Sequence, residues 1–143
     1  MADRTASVTW SGSLMDGAGK IESVGSGAFG PLDVTWASRT EESGGRTSPE
    51  ELIAAAHASC YSMALSHALA QAGAPPERLE TSATVTFVPG TGITKSAIRV
   101  RGTVPGIDEA AFLEAAQGAV EGCPVSMALA AVPEITLDAS LAS

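Results

Sequence analysis

The sequence predicts an α+β fold in a single domain that spans residues 1–143. The predicted order is three strands, a long helix, two strands, a helix, a short helix and a final strand, without repeats or linkers. Only 4% of the residues are aromatic, while 45% are hydrophobic. With so few aromatic residues, the core has to pack small and aliphatic side chains closely. We expect dimerisation to bury further surface.

Three short β-type stretches occupy residues 5–11, 19–25 and 33–39. In the third stretch, Val34 and Trp36 follow the alternating pattern of a strand. Glycine-rich turns separate the first two stretches and precede the third. The sequence therefore predicts an antiparallel meander that ends at Arg39.

Both ends of the long helix are marked in the sequence. Ser48 is a suitable capping residue, Pro49 is favoured at the first helical position, and Glu51 stands three residues after the cap. The helical pattern continues to Ala72 and stops at Gly73. At about 24 residues, the helix should be about 36 Å long.

The last part of the chain mixes strands with two helices. We expect strands at residues 79–88, 93–102 and 134–141, and a helix at residues 108–121. The first two of these strands should form a hairpin, and Asp108 should cap the helix. Cys123 followed by Pro124 predicts a second, short helix, because proline is disfavoured inside a helix and favoured at its start.

The charge and composition exclude several classes of function. A net charge of -8 with eight scattered basic residues disfavours nucleic-acid binding. The chain has no apolar run long enough to span a bilayer and does not begin like a signal peptide, so we expect a cytoplasmic protein without a membrane partner. Two cysteines without a CxxC spacing do not make a zinc site, and we expect no metal or other cofactor. Among the possible functions of the two cysteines, reversible thiol chemistry is the one left open.

Cys60 lies near the middle of the long helix. Residues at helical spacing place it on one face with Ile53, Ala56, His57, Met63, Ala64 and His67. The residue is either a small core hydrophobe or a reactive thiol, and a thiolate at this position would need a nearby cation.

Cys123 lies at the start of a predicted helix, where free backbone N–H groups favour a thiolate. Local physics alone would therefore make Cys123 the more acidic of the two thiols. The alternative is that Cys123 merely fills the capping position.

Charged and imidazole side chains offer further candidates. Arg39 and Glu50 lie on either side of the loop that precedes the long helix, and Glu50 is in its first turn. Arg39 has an alternative role in a surface pair with Glu41 or Glu42. His57 precedes Cys60 by three residues. Its possible roles are metal binding, Cys-His nucleophilic chemistry, or that of a packed, hydrogen-bonded core histidine.

Three motifs resemble the osmotically inducible protein C family over nearly the whole chain. They read TSPEELIAAAHASC followed by YSMAL at residues 47–65, VPGID at residues 104–108 and EGCPVS at residues 121–126. The sister branch of organic hydroperoxide resistance proteins usually has Gly-Tyr in place of Ala56 and His57. The osmotically inducible branch is therefore the better match. The family pattern leads us to expect an aromatic residue directly after Arg39. Thr40 occupies that position and departs from the pattern.

The resemblance implies a fold of two intertwined subunits, with antiparallel sheets around long central helices. It also implies a peroxidase without metal or haem that reduces organic hydroperoxides and hydrogen peroxide. By the resemblance, Cys60 attacks the peroxide and Cys123 resolves it as a disulfide, while Arg39 stabilises the thiolate and Glu50 orients Arg39. Dihydrolipoyl groups are the reductant that the family suggests. A non-catalytic module that binds an apolar ligand is the alternative function.

Once the resemblance assigns Glu50 and Cys60 to one site, helix geometry predicts that the site is shared between two chains. Ten residues of one helix separate Glu50 from Cys60 by about 15 Å. If two copies of the helix cross antiparallel near Ala55, Glu50 of one copy comes level with Cys60 of the other.

Overall fold

The computed structural model describes residues 1–142 and has an α+β architecture, as the sequence predicts. The elements are β1 (Ala6–Ser11), β2 (Ala18–Val24), β3 (Leu32–Val34), α1 (Trp36–Thr40), α2 (Pro49–Gln71), β4 (Arg78–Val88), β5 (Gly92–Thr103), α3 (Glu109–Gly122), α4 (Pro124–Ala128) and β6 (Glu134–Leu141). The contacts divide the chain into two compact units, Met1–Leu52 and the part from Ile53 onward. The expectation of a single domain stays a prediction. Among the described helices, none combines the length and apolar character that a membrane crossing requires.

The first unit contains the predicted meander. Its three strands pair antiparallel in the order β1-β2-β3. The third strand is much shorter than predicted and ends at Val34, where an isolated bridge joins it to Thr47.

The prediction of a strand through Arg39 is wrong, because a capping box starts a helix there. Thr35 Oγ1 accepts a hydrogen bond from the Ser38 N–H at 3.0 Å, and Ser38 Oγ accepts one from the Thr35 N–H at 3.0 Å. These bonds satisfy backbone donors that a helix start would otherwise leave unpaired. Helix α1 follows, and Arg39 lies in its last turn.

Helix α2 confirms the predicted start and stop signals. Ser48 Oγ accepts a hydrogen bond from the backbone N–H three residues later, at 3.2 Å. At the other end, Gly73 adopts a φ of 83°, and the Ala74 N–H donates to the Leu69 carbonyl at 2.9 Å. This Schellman arrangement satisfies a terminal carbonyl and turns the chain out of the helix.

The second unit contains a three-stranded sheet in the order β4-β5-β6. Strands β4 and β5 form the predicted antiparallel hairpin, but β6 pairs with β5 in parallel. The resemblance implied antiparallel sheets, and the parallel β5–β6 edge makes this sheet mixed. Helices α3 and α4 lie between β5 and β6 in sequence, and a connection of this length lets a strand re-enter the sheet in the same direction.

The two helices that connect β5 to β6 have the predicted caps. Asp108 Oδ1 accepts a hydrogen bond from the Ala111 N–H at 2.8 Å at the start of α3. Cys123 both ends α3 and occupies the N-cap of α4, with Pro124 at the first helical position.

The core of the second unit is built between α2, the sheet and α3. On α2 the fully buried residues recur every four positions, at His57, Tyr61, Leu65 and Leu69. Tyr61, Leu65 and Leu69 pack in a cluster whose other members include Ile98, Val100, Phe112, Ala116, Ala119 and Cys123. Cys123 thus belongs to the packed interior.

Gly102 is a test of this close packing. A Cβ at Gly102 would lie 2.7 Å from the Phe112 ring, and that ring is fully buried. We expect Gly102→Ala to lower the free energy of unfolding by about 1–3 kcal/mol through overpacking. Denaturant unfolding measures this change.

The matched control is Gly118→Ala, in the interior of α3, where a Cβ meets no neighbour within 4 Å. Alanine there should stabilise the protein by about 0.5–1 kcal/mol. Equal effects of the two substitutions would contradict the packing described for Gly102.

Candidate active site

Arg39 and Glu50 form an ion pair in the first unit. Arg39 Nε and Nη2 each lie 2.8 Å from Glu50 Oε1. Glu50 is only 5% exposed, and the guanidinium lies over the Trp36 ring at 5.9 Å from its centroid. Breaking this pair would leave a buried carboxylate without its cation, so the contact fixes the position of both side chains.

Two helix ends hold this pair. Arg39 is in the last turn of α1, and Glu50 is in the first turn of α2, where the helix dipole favours a carboxylate. We expected an aromatic residue directly after Arg39, where the chain has Thr40. The aromatic ring that Arg39 contacts is that of Trp36, three residues before Arg39. Among residues 1–142, Glu50 Oε2 is a buried oxygen without a hydrogen-bond partner.

Both cysteines lie in the second unit and are free thiols. Cys60 is half-buried on α2 and packs against the core cluster, whereas Cys123 is fully buried at the N-cap of α4. The two thiols are close enough for each to shift the pKa of the other. The structure thus brings together the two cysteines that the sequence singled out, 63 positions apart in the chain.

The surroundings make Cys123 the more acidic thiol of the pair. Burial raises the pKa of Cys60, the Val125 backbone lowers it, and Cys123 raises it further. For Cys123, burial also raises the pKa, but interactions with the Ser126 backbone, the Cys60 thiol, the Ser126 hydroxyl and the Val125 backbone outweigh burial and lower it. This order agrees with the local argument that a helix start favours the Cys123 thiolate.

His57 is a packed, hydrogen-bonded histidine in the core. Its Nδ1 atom lies 2.7 Å from Ser96 Oγ, and its Nε2 atom lies 2.7 Å from Ser126 Oγ. Burial lowers the pKa of His57, so the ring is neutral at neutral pH. His67 is exposed and contacts Gln71 at 3.4 Å.

A metal site finds no support around these histidines. Within residues 1–142, no group of three or more His, Cys, Asp or Glu side chains is placed to hold a metal ion. Both ring nitrogens of His57 face serine hydroxyls.

Sequence reasoning did not identify Ser96 and Ser126. Ser126 could have been noticed, because it stands three residues after Cys123 and therefore reaches back toward the capping residue of α4. Ser96 comes from strand β5, 39 positions from His57. Only the packing of α2 against the sheet reveals this contact.

Comparisons with known proteins agree with the fold and with the motifs. The model of the family described as OsmC-like protein matches residues 42–138. Peroxiredoxin OsmC of Escherichia coli strain K12 is 44% identical over 137 residues, which cover 94% of this chain and 93% of the relative. The same identity and coverage hold for peroxiredoxin OsmC of Shigella flexneri.

Solved structures share the fold at low sequence identity. An OsmC-like protein of unknown function from Vibrio cholerae superposes with a TM-score of 0.73 and 17% identity, covering 97% of this chain and 99% of the other. The organic hydroperoxide resistance protein OhrB of Bacillus subtilis gives a TM-score of 0.64 and 22% identity, covering 96% and 98%. From the family match and the 44% identity over most of its length, the chain belongs to the OsmC-like protein family.

Proposed function

We propose that this protein is a thiol-dependent peroxidase that reduces organic hydroperoxides and hydrogen peroxide through Cys60 and Cys123. The observation that carries the proposal is the proximity of two free thiols, one half-buried and one fully buried, in a single compact unit. The relatives that are 44% identical are named peroxiredoxins, which supports the same chemistry here.

The accessibility of the two thiols supports Cys60 as the residue that takes the first step. A peroxide has to reach the attacking sulfur, and Cys123 has no exposed surface, whereas Cys60 is half-buried. The Cys60 thiolate attacks one peroxide oxygen, the O–O bond breaks, and alcohol or water leaves as Cys60 becomes a sulfenic acid. Cys123 then attacks the Cys60 sulfur, a disulfide forms, and water is released.

The first step needs a cation near Cys60, and we propose Arg39 of a second copy of the chain. Burial raises the pKa of Cys60, and a guanidinium would favour its thiolate and the charge that develops on the peroxide. Within one chain, α2 separates Glu50 from Cys60 by about 15 Å along its axis. A second copy would remove this separation.

The outer face of α2 supports the association of two copies. Its exposed residues recur at spacings of three and four, at Ala56, Ser59, Met63 and His67, and Met63 is 69% exposed. The sequence placed Ala56, Met63 and His67 on one face with Cys60, and in the structure these three positions are exposed. Small exposed residues would let a second helix approach closely.

The same arrangement gives a role to Glu50. Its Oε1 atom holds Arg39, while Oε2 is buried without a partner in the described part of the chain. A second chain could supply the missing donor, and an antiparallel crossing near Ala55 would bring Glu50 level with Cys60 of the other copy.

A thiol reductant completes the proposed cycle, and a dihydrolipoyl protein is our candidate. We also propose a cytoplasmic location, which suits reversible thiol chemistry. The alternative of a non-catalytic module for apolar ligands predicts that hydroperoxide leaves both thiols intact. Thiol titration before and after treatment distinguishes the two functions.

The two cysteine variants should behave differently. Cys60→Ser should abolish peroxide consumption, because no accessible thiolate remains. Cys123→Ser should permit one oxidation and then stop as sulfenic or overoxidised protein, because nothing closes the disulfide. Intact-mass measurement after peroxide treatment checks both results. A Cys123→Ser variant that turns over normally with a dithiol would remove Cys123 from the resolving step.

Arg39→Ala should raise the pKa of Cys60 and slow its reaction with peroxide at neutral pH by about tenfold or more, because a partly buried thiolate loses its cation. The rate of Cys60 alkylation against pH, measured in the Cys123→Ser background, should shift to higher pH.

Arg78→Ala is the matched control for Arg39→Ala. Arg78 also forms a 2.8 Å ion pair, with Glu80, but its side chain is 71% exposed. This variant should keep the pH profile of the parent. An unchanged profile in Arg39→Ala would remove Arg39 from the proposed site.

Mixed dimers test whether the site is shared between chains. Glu50→Ala homodimers should be weak, and Cys60→Ser homodimers should be inactive. Refolding them together should restore part of the activity, because a mixed dimer would contain one site with both wild-type residues and one site with neither. Verified mixed dimers without any recovery would rule out the shared arrangement.

A further inference from the structure

His57 is the largest polar group of the second-unit core that the proposed reaction does not yet use. It is fully buried, and both of its ring nitrogens make short contacts to serine hydroxyls. A core position could be filled by an apolar side chain at lower cost, because a buried polar group has to be fully hydrogen bonded. The residues that His57 contacts indicate its role.

One of these contacts leads to the resolving cysteine. Ser126 lies three residues after Cys123 and is itself buried at 7% exposure. Cys123 is the N-cap of α4, so residue 126 occupies the position whose side chain reaches back toward the cap. The Ser126 hydroxyl interacts with the Cys123 sulfur and favours its thiolate. The chain of contacts therefore runs from His57 through Ser126 to Cys123.

When Cys123 is a thiolate, the number of available protons determines which group donates in each of these contacts. The Ser126 hydroxyl has one proton, and donation to the sulfur leaves none for the imidazole. His57 Nε2 must then carry a proton and donate it to Ser126 Oγ. A neutral imidazole has its other nitrogen as an acceptor, so the Ser96 hydroxyl donates to Nδ1.

We propose that His57 is a positioning residue for the resolving step, which orients the Ser126 hydroxyl toward the Cys123 sulfur and so favours the thiolate that closes the disulfide. This inference rests on the proposed peroxidase function. The Cys123 thiolate attacks the sulfur of the Cys60 sulfenic acid, the S–S bond forms, and the S–O bond breaks. The departing hydroxide takes from solvent the proton that the Cys123 thiol had released, and leaves as water. One sulfur is oxidised and the other is reduced by the same amount, so no further reactant is needed.

His57 does not remove the thiol proton in this account. Burial disfavours its charged form, and it acts by holding a neutral hydrogen bond in place. The titratable groups that interact with Cys123 are Cys60 and Tyr61, both on α2. The Tyr61 hydroxyl donates to the Ala116 carbonyl at 2.9 Å, and burial raises its pKa well above the usual range. It therefore stays neutral while Cys123 titrates.

Ser126→Ala and Ser96→Ala are matched variants for a test. Each removes one hydroxyl that lies 2.7 Å from a His57 ring nitrogen in the same core. Only Ser126→Ala breaks the connection to Cys123. A purely structural role predicts equal effects, whereas a positioning role predicts that Ser126→Ala acts selectively on the thiol.

The first measurement is the titration of Cys123 by thiolate ultraviolet absorbance in a Cys60→Ser background. Since the chain has two cysteines, Cys123 is then the only thiol, and no reagent has to enter the core. Ser126→Ala should shift the titration to higher pH, and Ser96→Ala should shift it much less. His57→Gln, which can keep a donor toward Ser126, should stay closer to the parent than His57→Leu. Equal shifts in the two serine variants, or no shift in Ser126→Ala, would overturn the proposal.

The second measurement separates the two chemical steps with both cysteines present. After rapid mixing with a hydroperoxide, Ser126→Ala should form the Cys60 sulfenic acid at the parent rate. Disulfide closure below neutral pH should be slower by about three- to tenfold, because the loss of thiolate is partly offset by the greater nucleophilicity of a more basic thiol. The difference should shrink as the pH rises.

The outcomes distinguish this inference from the function on which it rests. Normal sulfenic acid formation with unchanged closure in Ser126→Ala would contradict the role of His57 alone. Failure of the parent protein to oxidise Cys60 would contradict the peroxidase proposal, and the absorbance titration would still decide whether His57 and Ser126 control the Cys123 thiol.

Discussion

The contact between Cys60 and Cys123 is the constraint on which the second unit depends. Cys60 comes from the middle of α2, and Cys123 comes from the junction of α3 and α4. Bringing them together requires the buried α2 stripe of Tyr61, Leu65 and Leu69 to pack in the same cluster as α3 and the sheet. The hydrophobic core therefore fixes the distance over which a disulfide would close, and the chemistry follows from the packing.

The two thiols divide acidity and accessibility between them. In the single chain Cys123 has the lowered pKa and Cys60 the raised one, yet only Cys60 is partly exposed. A buried acidic thiol is well suited to attack an adjacent sulfenic acid and to leave when the disulfide is reduced. A half-buried thiol with a raised pKa needs a cation before it can attack peroxide at neutral pH. This difference is the physical reason for proposing that a second chain completes the site.

Much of the fold could be predicted because its signals are local. Ser48 and Pro49 mark the start of α2, Gly73 marks its end, and Asp108 caps α3. The strand predicted through Arg39 failed because the alternation of apolar residues competed with the capping box of Thr35 and Ser38, which satisfies backbone donors directly. The parallel pairing of β6 was missed because the path of a long connection is not encoded in the strand itself.

The candidate site could be predicted only in part, because local signals mark some of its residues but not the long-range contacts between them. The cysteines and Glu50 lie in recognisable motifs, and the resemblance to the family singled out Arg39. The contacts of His57 with Ser96 and Ser126 join residues 39 and 69 positions apart, and no local pattern marks them. Long-range polar contacts of this kind emerge only when the core is assembled.

The most direct measurement is the oxidation product of the wild-type protein after equimolar hydroperoxide, analysed by intact mass and by peptide mapping under non-reducing conditions. We expect the loss of both thiols of each chain and a Cys60–Cys123 disulfide within one chain. Unchanged thiols, or a disulfide that joins only different chains, would contradict it.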